Sequence, residues 1–131
     1  MSGKPVILIV DDEEGVRKVV GRRLQRYGFE VVTADSGEEG LRMAYERQPD
    51  LVLLDIMMPK MKGRDVCAKL KAGLTTKDIP VIFMTALGLA DHIKAGMDMG
   101  ADDYITKPFE SARLIERIKI CLVRHNRLMV D

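Results

Sequence analysis

The chain has 131 residues, which is enough for one compact domain and too few for two ordinary ones. Its 21 lysines and arginines nearly balance its 20 aspartates and glutamates, so no overall field would draw it to nucleic acid or to an anionic membrane. The N-terminal apolar stretch VILIV is too short for a signal peptide or a membrane span. We therefore expect a cytoplasmic protein with no membrane attachment and no direct nucleic acid binding, whose charge-based chemistry is local.

Five short runs, most of them rich in Val, Ile and Leu, predict strands. Most of the runs lack polar alternation, which is typical of a parallel sheet that is covered on both faces. The runs are residues 6–10, 30–34, 51–54, 81–84 and 103–106.

Amphipathic stretches between and after these runs predict helices. Ser36 followed by Glu39 is typical of a capping box that opens the second helix. The two cysteines match no metal-ligand spacing, so we interpret Cys67 and Cys121 as small buried apolar residues. The apolar stripes of the first and last helices are Val16, Val19, Val20, Leu24 and Tyr27, and Leu114, Ile118, Cys121 and Leu122.

Alternating strands and helices with short connections predict a single α/β domain. A closed eightfold barrel needs nearly twice as many residues, so we expect an open, doubly wound parallel sheet of five strands. The expected strand order is 2-1-3-4-5, as in flavodoxin-like folds. We assign the domain to residues 1–124 and interpret the polar residues 125–131 as a C-terminal tail or the start of a linker.

Polar residues follow the predicted strands at their carboxyl ends. Asp11 and Asp12 follow the first strand, Asp55 the third, Thr85 the fourth, and Lys107 the fifth. Parallel strands point the same way, so these residues should converge on the crevice where the winding reverses. Each alone has an ordinary interpretation, as a turn, a helix cap or a solvated lysine, but their occurrence together favours a site.

Three carboxylates in one crevice repel one another unless a cation lies between them. Hard, accessible oxygen ligands favour Mg²⁺, and a nearby hydroxyl and lysine would complete a phosphoryl site. An acid that the metal does not need could serve as the nucleophile.

The chain resembles the receiver domains of two-component response regulators over nearly its whole length. The segments ILIVDDE (7–13), PDLVLLDIMMP (49–59), IPVIFMTA (79–86) and GADDYITKPF (100–109) carry this resemblance. It implies that Asp55 is phosphorylated by a histidine kinase or a histidine phosphotransfer protein. It also implies that Asp12, Asp55 and the backbone carbonyl of Met57 bind Mg²⁺, while Asp11 acts through a metal-bound water.

The resemblance further implies roles for residues around the phosphoryl group. Thr85 would donate a hydrogen bond to it, Ala86 would leave space beside it, and Lys107 would pair with it. The bond between Lys107 and Pro108 would be cis. Phosphorylation would pull Thr85 inward, and Tyr104 would fill the space that Thr85 leaves. The surface formed by the fourth helix, the fifth strand and the fifth helix would then shift toward one of two conformations.

The chain departs from the family at several positions. It has Met61-Lys62-Gly63 after the phosphorylation loop, where an Asp-Gly pair is common, and we expect Gly63 to serve the turn. Ile93 and Arg113 replace the Arg and Glu of a known cross-subunit contact, although Asp103 and Arg117 fit it, so we expect a monomer or a weak dimer. Met57 and Leu87 carry no group that would orient water, which predicts slow self-dephosphorylation.

Basic residues on the first helix have two interpretations, a solvated face or part of a kinase-docking surface. They are Arg17, Lys18, Arg22, Arg23 and Arg26. We interpret His92 and His125 as surface residues without partners.

The resulting hypothesis is a signalling switch, rather than an enzyme, that catalyses its own phosphorylation and dephosphorylation. It would control a downstream protein, or an output domain beyond this chain. The alternative is a Mg²⁺-dependent phosphohydrolase with an aspartyl-phosphate intermediate, but such sites characteristically have a second Asp where this chain has Met57. A phospho-independent binding module would be expected to lack the site residues.

Overall fold

Five parallel strands form one sheet in the computed structural model, which describes residues 3–86, 94 and 97–128. The strands are β1 (Val6–Val10), β2 (Glu30–Ala34), β3 (Leu51–Asp55), β4 (Val81–Ala86) and β5 (Asp103–Lys107). Their order, β2-β1-β3-β4-β5, confirms the predicted α/β class and topology. The last three strands extend past their predicted ends because the backbones of Asp55, Thr85 and Lys107 continue the parallel ladder.

Four helices have defined bounds: α1 (Glu14–Arg26), α2 (Gly37–Arg47), α3 (Gly63–Ala72) and α4 (Ser111–Arg124). Ser36 caps α2 as predicted, since its hydroxyl accepts a hydrogen bond from the Glu39 N–H at 3.2 Å. Helix α4 is the last of the predicted helices. Leu87, His92 and Ile93, in the region predicted to hold a helix between β4 and β5, lie outside the described residues.

Alternate residues of each strand enter two cores on opposite faces of the sheet. Leu8, Val10, Val52 and Leu54 pack with residues of α2 and α3. Their neighbours in the strands, such as Ile7 and Leu53, pack with residues of α1 and α4. Burial on both faces explains why the strands are continuously apolar, and it leaves the strand ends as the place for polar chemistry.

The two predicted helix stripes differ in burial. All four stripe residues of α4 are buried, as are Val20 and Leu24 of α1. Val19 and Tyr27, by contrast, are 46% and 52% exposed, so the prediction was wrong for these two side chains. The face of α1 that contacts the sheet is narrower than its apolar stripe.

Residues 125–128 contact the domain rather than leaving it. Helix α4 ends at Arg124, and Asn126, just past the C-cap residue, is left-handed. The Arg127 N–H donates to the Leu122 carbonyl, which is the Schellman pattern. Arg127 Nη1 then lies 3.3 Å from the Pro49 carbonyl oxygen. His125 also has a partner, against our expectation, because its Nε2 lies 2.9 Å from Asp102 Oδ1.

Within the described part of the chain, no helix combines the length and the apolar character needed to span a bilayer.

Candidate functional site

Three aspartates meet where β1 and β3 end. These strands are neighbours, and Val10 pairs with Leu54, so the residues that follow lie at the same level of the sheet. Asp11, Asp12 and Asp55 each offer a carboxylate oxygen, and these oxygens lie within 4.8 Å of one another. Asp11 and Asp55 are buried whereas Asp12 is exposed, so the cluster opens to solvent on one side.

Lys107, on the outermost strand β5, contributes a positive charge to this cluster. It is the last residue of β5, and its Nζ lies 3.0 Å from Asp11 Oδ2 and 4.0 Å from Asp55 Oδ1. The peptide bond between Lys107 and Pro108 is cis. One ammonium thus faces three carboxylates, and the cluster keeps an excess of negative charge.

Burial raises the pKa of the Asp55 carboxyl to about 7, with the neighbouring Asp11 carboxylate as the next cause. The Lys107 ammonium and the Met57 backbone N–H, which donates to Asp55 Oδ1 at 3.2 Å, favour the ionised form and oppose this effect. The ionised form of Asp55 is therefore disfavoured around neutral pH, and a further cation would favour it.

The donor set fits a hard divalent cation. All three potential ligands are carboxylates, and such cations prefer oxygen ligands. The exposed position of Asp12 would let a bound ion keep part of its water. The acidic cluster could therefore bind a metal ion of this class.

Gly63 allows the start of α3 to approach the backbone at the end of β3. A Cβ atom at this position would overlap the backbone of Asp55 and Ile56. The Gly63 N–H donates to the Ile56 carbonyl at 3.0 Å, which closes the loop. Gly63 is thus explained by a close backbone approach at the start of α3, which the expectation of a turn residue did not specify.

Thr85 and Tyr104 occupy the neighbouring strands β4 and β5. Thr85 is buried, and its Oγ1 donates to the Ala86 carbonyl oxygen at 3.3 Å. Tyr104 pairs with Phe83 in the ladder, and it is 39% exposed. In this arrangement the tyrosine lies toward solvent and the threonine hydroxyl is engaged by its own strand.

Asp103 and Arg117 contact each other within one chain. Arg117 Nη2 donates to Asp103 Oδ1 at 2.8 Å, which joins β5 to α4. Arg113 is exposed on the same helix. The two residues that fit the cross-subunit pattern thus form an internal ion pair here.

The basic residues of α1 differ in their surroundings. Lys18 forms an exposed ion pair with Glu14 at 2.7 Å, as expected for a solvated face. Arg17 is half-buried, and its Nη1 donates to the backbone carbonyl oxygen of Asp11 at 2.8 Å. This contact with the acid-bearing loop was not predicted from the sequence, and helical spacing offers no signal for it, since Asp11 precedes the helix.

Comparisons with known proteins agree on one family. The family model "Response regulator receiver domain" matches residues 7–119. The "Probable transcriptional regulator ycf27" of Guillardia theta is 46% identical over 97% of this chain and 49% of its own length. The transcriptional regulator RpaA of Synechocystis is 41% identical over 95% of this chain and 52% of its own length. The chain thus spans about half the length of the curated relatives it matches.

A solved structure supports the same assignment. A CheY-like response regulator receiver domain protein from Methanospirillum hungatei superimposes with a TM-score of 0.89 at 29% identity, covering 95% of this chain and 98% of that one. Fold, sequence relatives and the acidic edge of the sheet agree. The chain belongs to the response regulator receiver domain family, and it is a receiver domain of two-component signal transduction.

Proposed function

We propose that Asp55 accepts a phosphoryl group from a phosphohistidine of a histidine kinase or a histidine phosphotransfer protein. The observation that carries the proposal is the meeting of three carboxylate oxygens within 4.8 Å, one of them on the buried Asp55. In the transfer, an Asp55 oxygen bonds to phosphorus as the phosphorus–nitrogen bond breaks. The electron pair of that bond stays on the imidazole nitrogen.

Mg²⁺ is the cation that we propose for the acidic cluster. Asp12, Asp55 and the backbone carbonyl of Met57 would hold it, and Asp11 would act through a bound water. When bound, the ion would supply positive charge against both the carboxylates and the oxygens of the transferred group.

The other site residues would stabilise the phosphorylated form. Lys107 already lies near Asp55, with Asp11 holding its ammonium at 3.0 Å, so a short movement would pair it with the phosphoryl group. The Thr85 hydroxyl would exchange its bond to the Ala86 carbonyl for one to a phosphoryl oxygen. The small side chain of Ala86 would leave room for that group.

The signal would leave the site through Thr85 and Tyr104. Inward movement of Thr85 would open space beside β4 that the half-exposed Tyr104 can fill. This exchange would shift the population of the surface that includes β5 and α4, because the phosphoryl group interacts better with one arrangement. A protein partner or an output domain would then recognise that surface, which accords with relatives about twice as long as this chain.

The domain would act as a switch that catalyses its own modification. Met57 is 43% exposed beside Asp55, and its thioether cannot orient an attacking water, so we expect slow loss of the phosphoryl group. The position also lacks the second carboxylate that the phosphohydrolase alternative needs as a general acid.

Intact-mass measurement after incubation with acetyl phosphate tests this proposal. The wild-type chain should gain the mass of one phosphoryl group in the presence of Mg²⁺ and none with a chelator. Asp55→Asn should gain no phosphoryl group. Asp78→Asn removes an exposed aspartate that precedes β4, near the N-terminal ends of the strands, and it should behave as wild type. Consumption of acetyl phosphate without a retained label would favour the phosphohydrolase instead, and absence of both would favour a passive binding module.

A further inference from the structure

Arg17 lies in the second turn of α1 but reaches back to the loop that carries Asp11 and Asp12. Its Nη1 donates to the Asp11 carbonyl oxygen at 2.8 Å, and its side chain is half-buried. Lys18, the next residue, is 63% exposed and pairs with Glu14 on the helix surface. Arg17 is thus separated from the solvated face to which its charge would assign it.

With the contact from Arg17, every polar atom of Asp11 has a hydrogen-bond partner. The Asp11 N–H donates to the Ala34 carbonyl at 3.1 Å. One carboxylate oxygen accepts from the Glu13 N–H at 2.9 Å, and the other lies 3.0 Å from Lys107 Nζ. The carbonyl oxygen, the remaining polar atom of the residue, is held by Arg17.

The bond from Arg17 to the Asp11 carbonyl oxygen restrains the orientation of the peptide unit between Asp11 and Asp12. The Asp11 carbonyl and the Asp12 nitrogen belong to one planar peptide unit, so fixing the oxygen fixes the plane from which Asp12 extends. The N-cap residue of α1, Glu13, makes no side-chain capping bond that would hold the loop from the helix side. Without Arg17, the peptide unit between Asp11 and Asp12 would be restrained only by the Glu13 N–H bond to the Asp11 carboxylate, so ordering Asp12 on a cation would cost more conformational entropy.

We propose that Arg17 is a positioning residue, which holds the Asp12 carboxylate ready for a divalent cation through its hydrogen bond to the Asp11 carbonyl. The inference rests on the proposed cation site and adds a residue to it. A positioning role and a purely electrostatic role predict opposite effects of removing Arg17, because its positive charge repels a divalent cation in the acidic cluster. If Arg17 acted only by its charge, its removal would strengthen cation binding. If it positions Asp12, its removal weakens binding.

Calorimetric titration of Mg²⁺ into the whole, unphosphorylated chain separates the two effects. Arg17→Met removes the charge and the donor, while Arg22→Met removes the same groups from an exposed position on the same helix. Loss of an outer contact of this kind costs roughly tenfold or more in metal affinity. We therefore expect the Mg²⁺ dissociation constant to rise roughly tenfold in Arg17→Met and to stay near the wild-type value in Arg22→Met.

The remaining outcomes are also decisive. Mg²⁺ binding by Arg17→Met that equals or exceeds wild-type binding would overturn the positioning role and leave the proposed function intact. A wild-type chain that binds no Mg²⁺ would overturn both. Far-UV circular dichroism and urea unfolding in chelator check that each variant is folded, and Arg17→Gln, whose amide is too short to replace the guanidinium, repeats the test if Arg17→Met is not.

Discussion

Replacing Asp55 with asparagine should stabilise the metal-free domain above neutral pH. Burial and the Asp11 carboxylate raise the pKa of Asp55 from 3.8 to about 7 in the folded chain, and unfolding removes both causes. Between these two pH values the folded state binds more protons than the unfolded state, so this group lowers stability as the pH rises. The loss is complete once the pH exceeds the folded-state pKa.

The size of the effect follows from the same difference. At about 1.36 kcal/mol for each pKa unit, the change from 3.8 to about 7 sets an upper limit of about 4 kcal/mol. Local relaxation and water would reduce this limit, so we expect about 2–4 kcal/mol, a large fraction of the 5–15 kcal/mol that is typical of a whole domain. Asparagine has no carboxyl group to ionise and avoids the loss.

Urea unfolding followed by far-UV circular dichroism, in chelator between pH 4 and pH 8, measures this difference; the chain has no Trp, so fluorescence is less suited. Asp55→Asn should match wild type near pH 4 and exceed its unfolding free energy increasingly toward pH 8. The exposed control Asp78→Asn should follow wild type throughout. Equal stability of Asp55→Asn and wild type at pH 8 would refute the reasoning that burial imposes a cost on the ionised carboxylate.

Three further substitutions test separate parts of the account. Gly63→Ala should lower the unfolding free energy by about 1–3 kcal/mol, because its Cβ would overlap the backbone between β3 and α3. Gly15→Ala, whose Cβ would meet none of the described atoms within 4 Å, should not lower it, and equal effects in urea unfolding would contradict this. Arg127→Ala should lose about 1 kcal/mol through its contacts with Pro49 and Asp50, and wild-type stability would contradict that role. Met57→Asn should speed the loss of the phosphoryl group, followed by intact mass over time, and an unchanged rate would argue against an apolar shield.

The location of the site could be predicted because it depends on topology alone. Parallel strands share their carboxyl edge, so Asp11 and Asp55 had to meet once β1 and β3 were neighbours. The alternation of apolar runs and amphipathic stretches likewise determined the order of the elements. Neither inference required knowledge of any side-chain conformation.

The contacts that the sequence did not predict are made by long side chains. Helical periodicity places Arg17 on a polar face, and it cannot indicate that the guanidinium turns back to the Asp11 carbonyl. The pairing of His125 with Asp102 joins distant parts of the chain, so no local pattern marks it. Val19 belongs to the apolar stripe predicted for the first helix, yet the edge of the helix–sheet contact leaves it 46% exposed.

A crystal structure of the chain grown with Mg²⁺ tests the central claim most directly. We expect one ion bound to carboxylate oxygens of Asp12 and Asp55 and to the Met57 carbonyl oxygen, with Asp11 bound through a water molecule. An ion bound away from these residues, or no ion among the three carboxylates at saturating Mg²⁺, would contradict it.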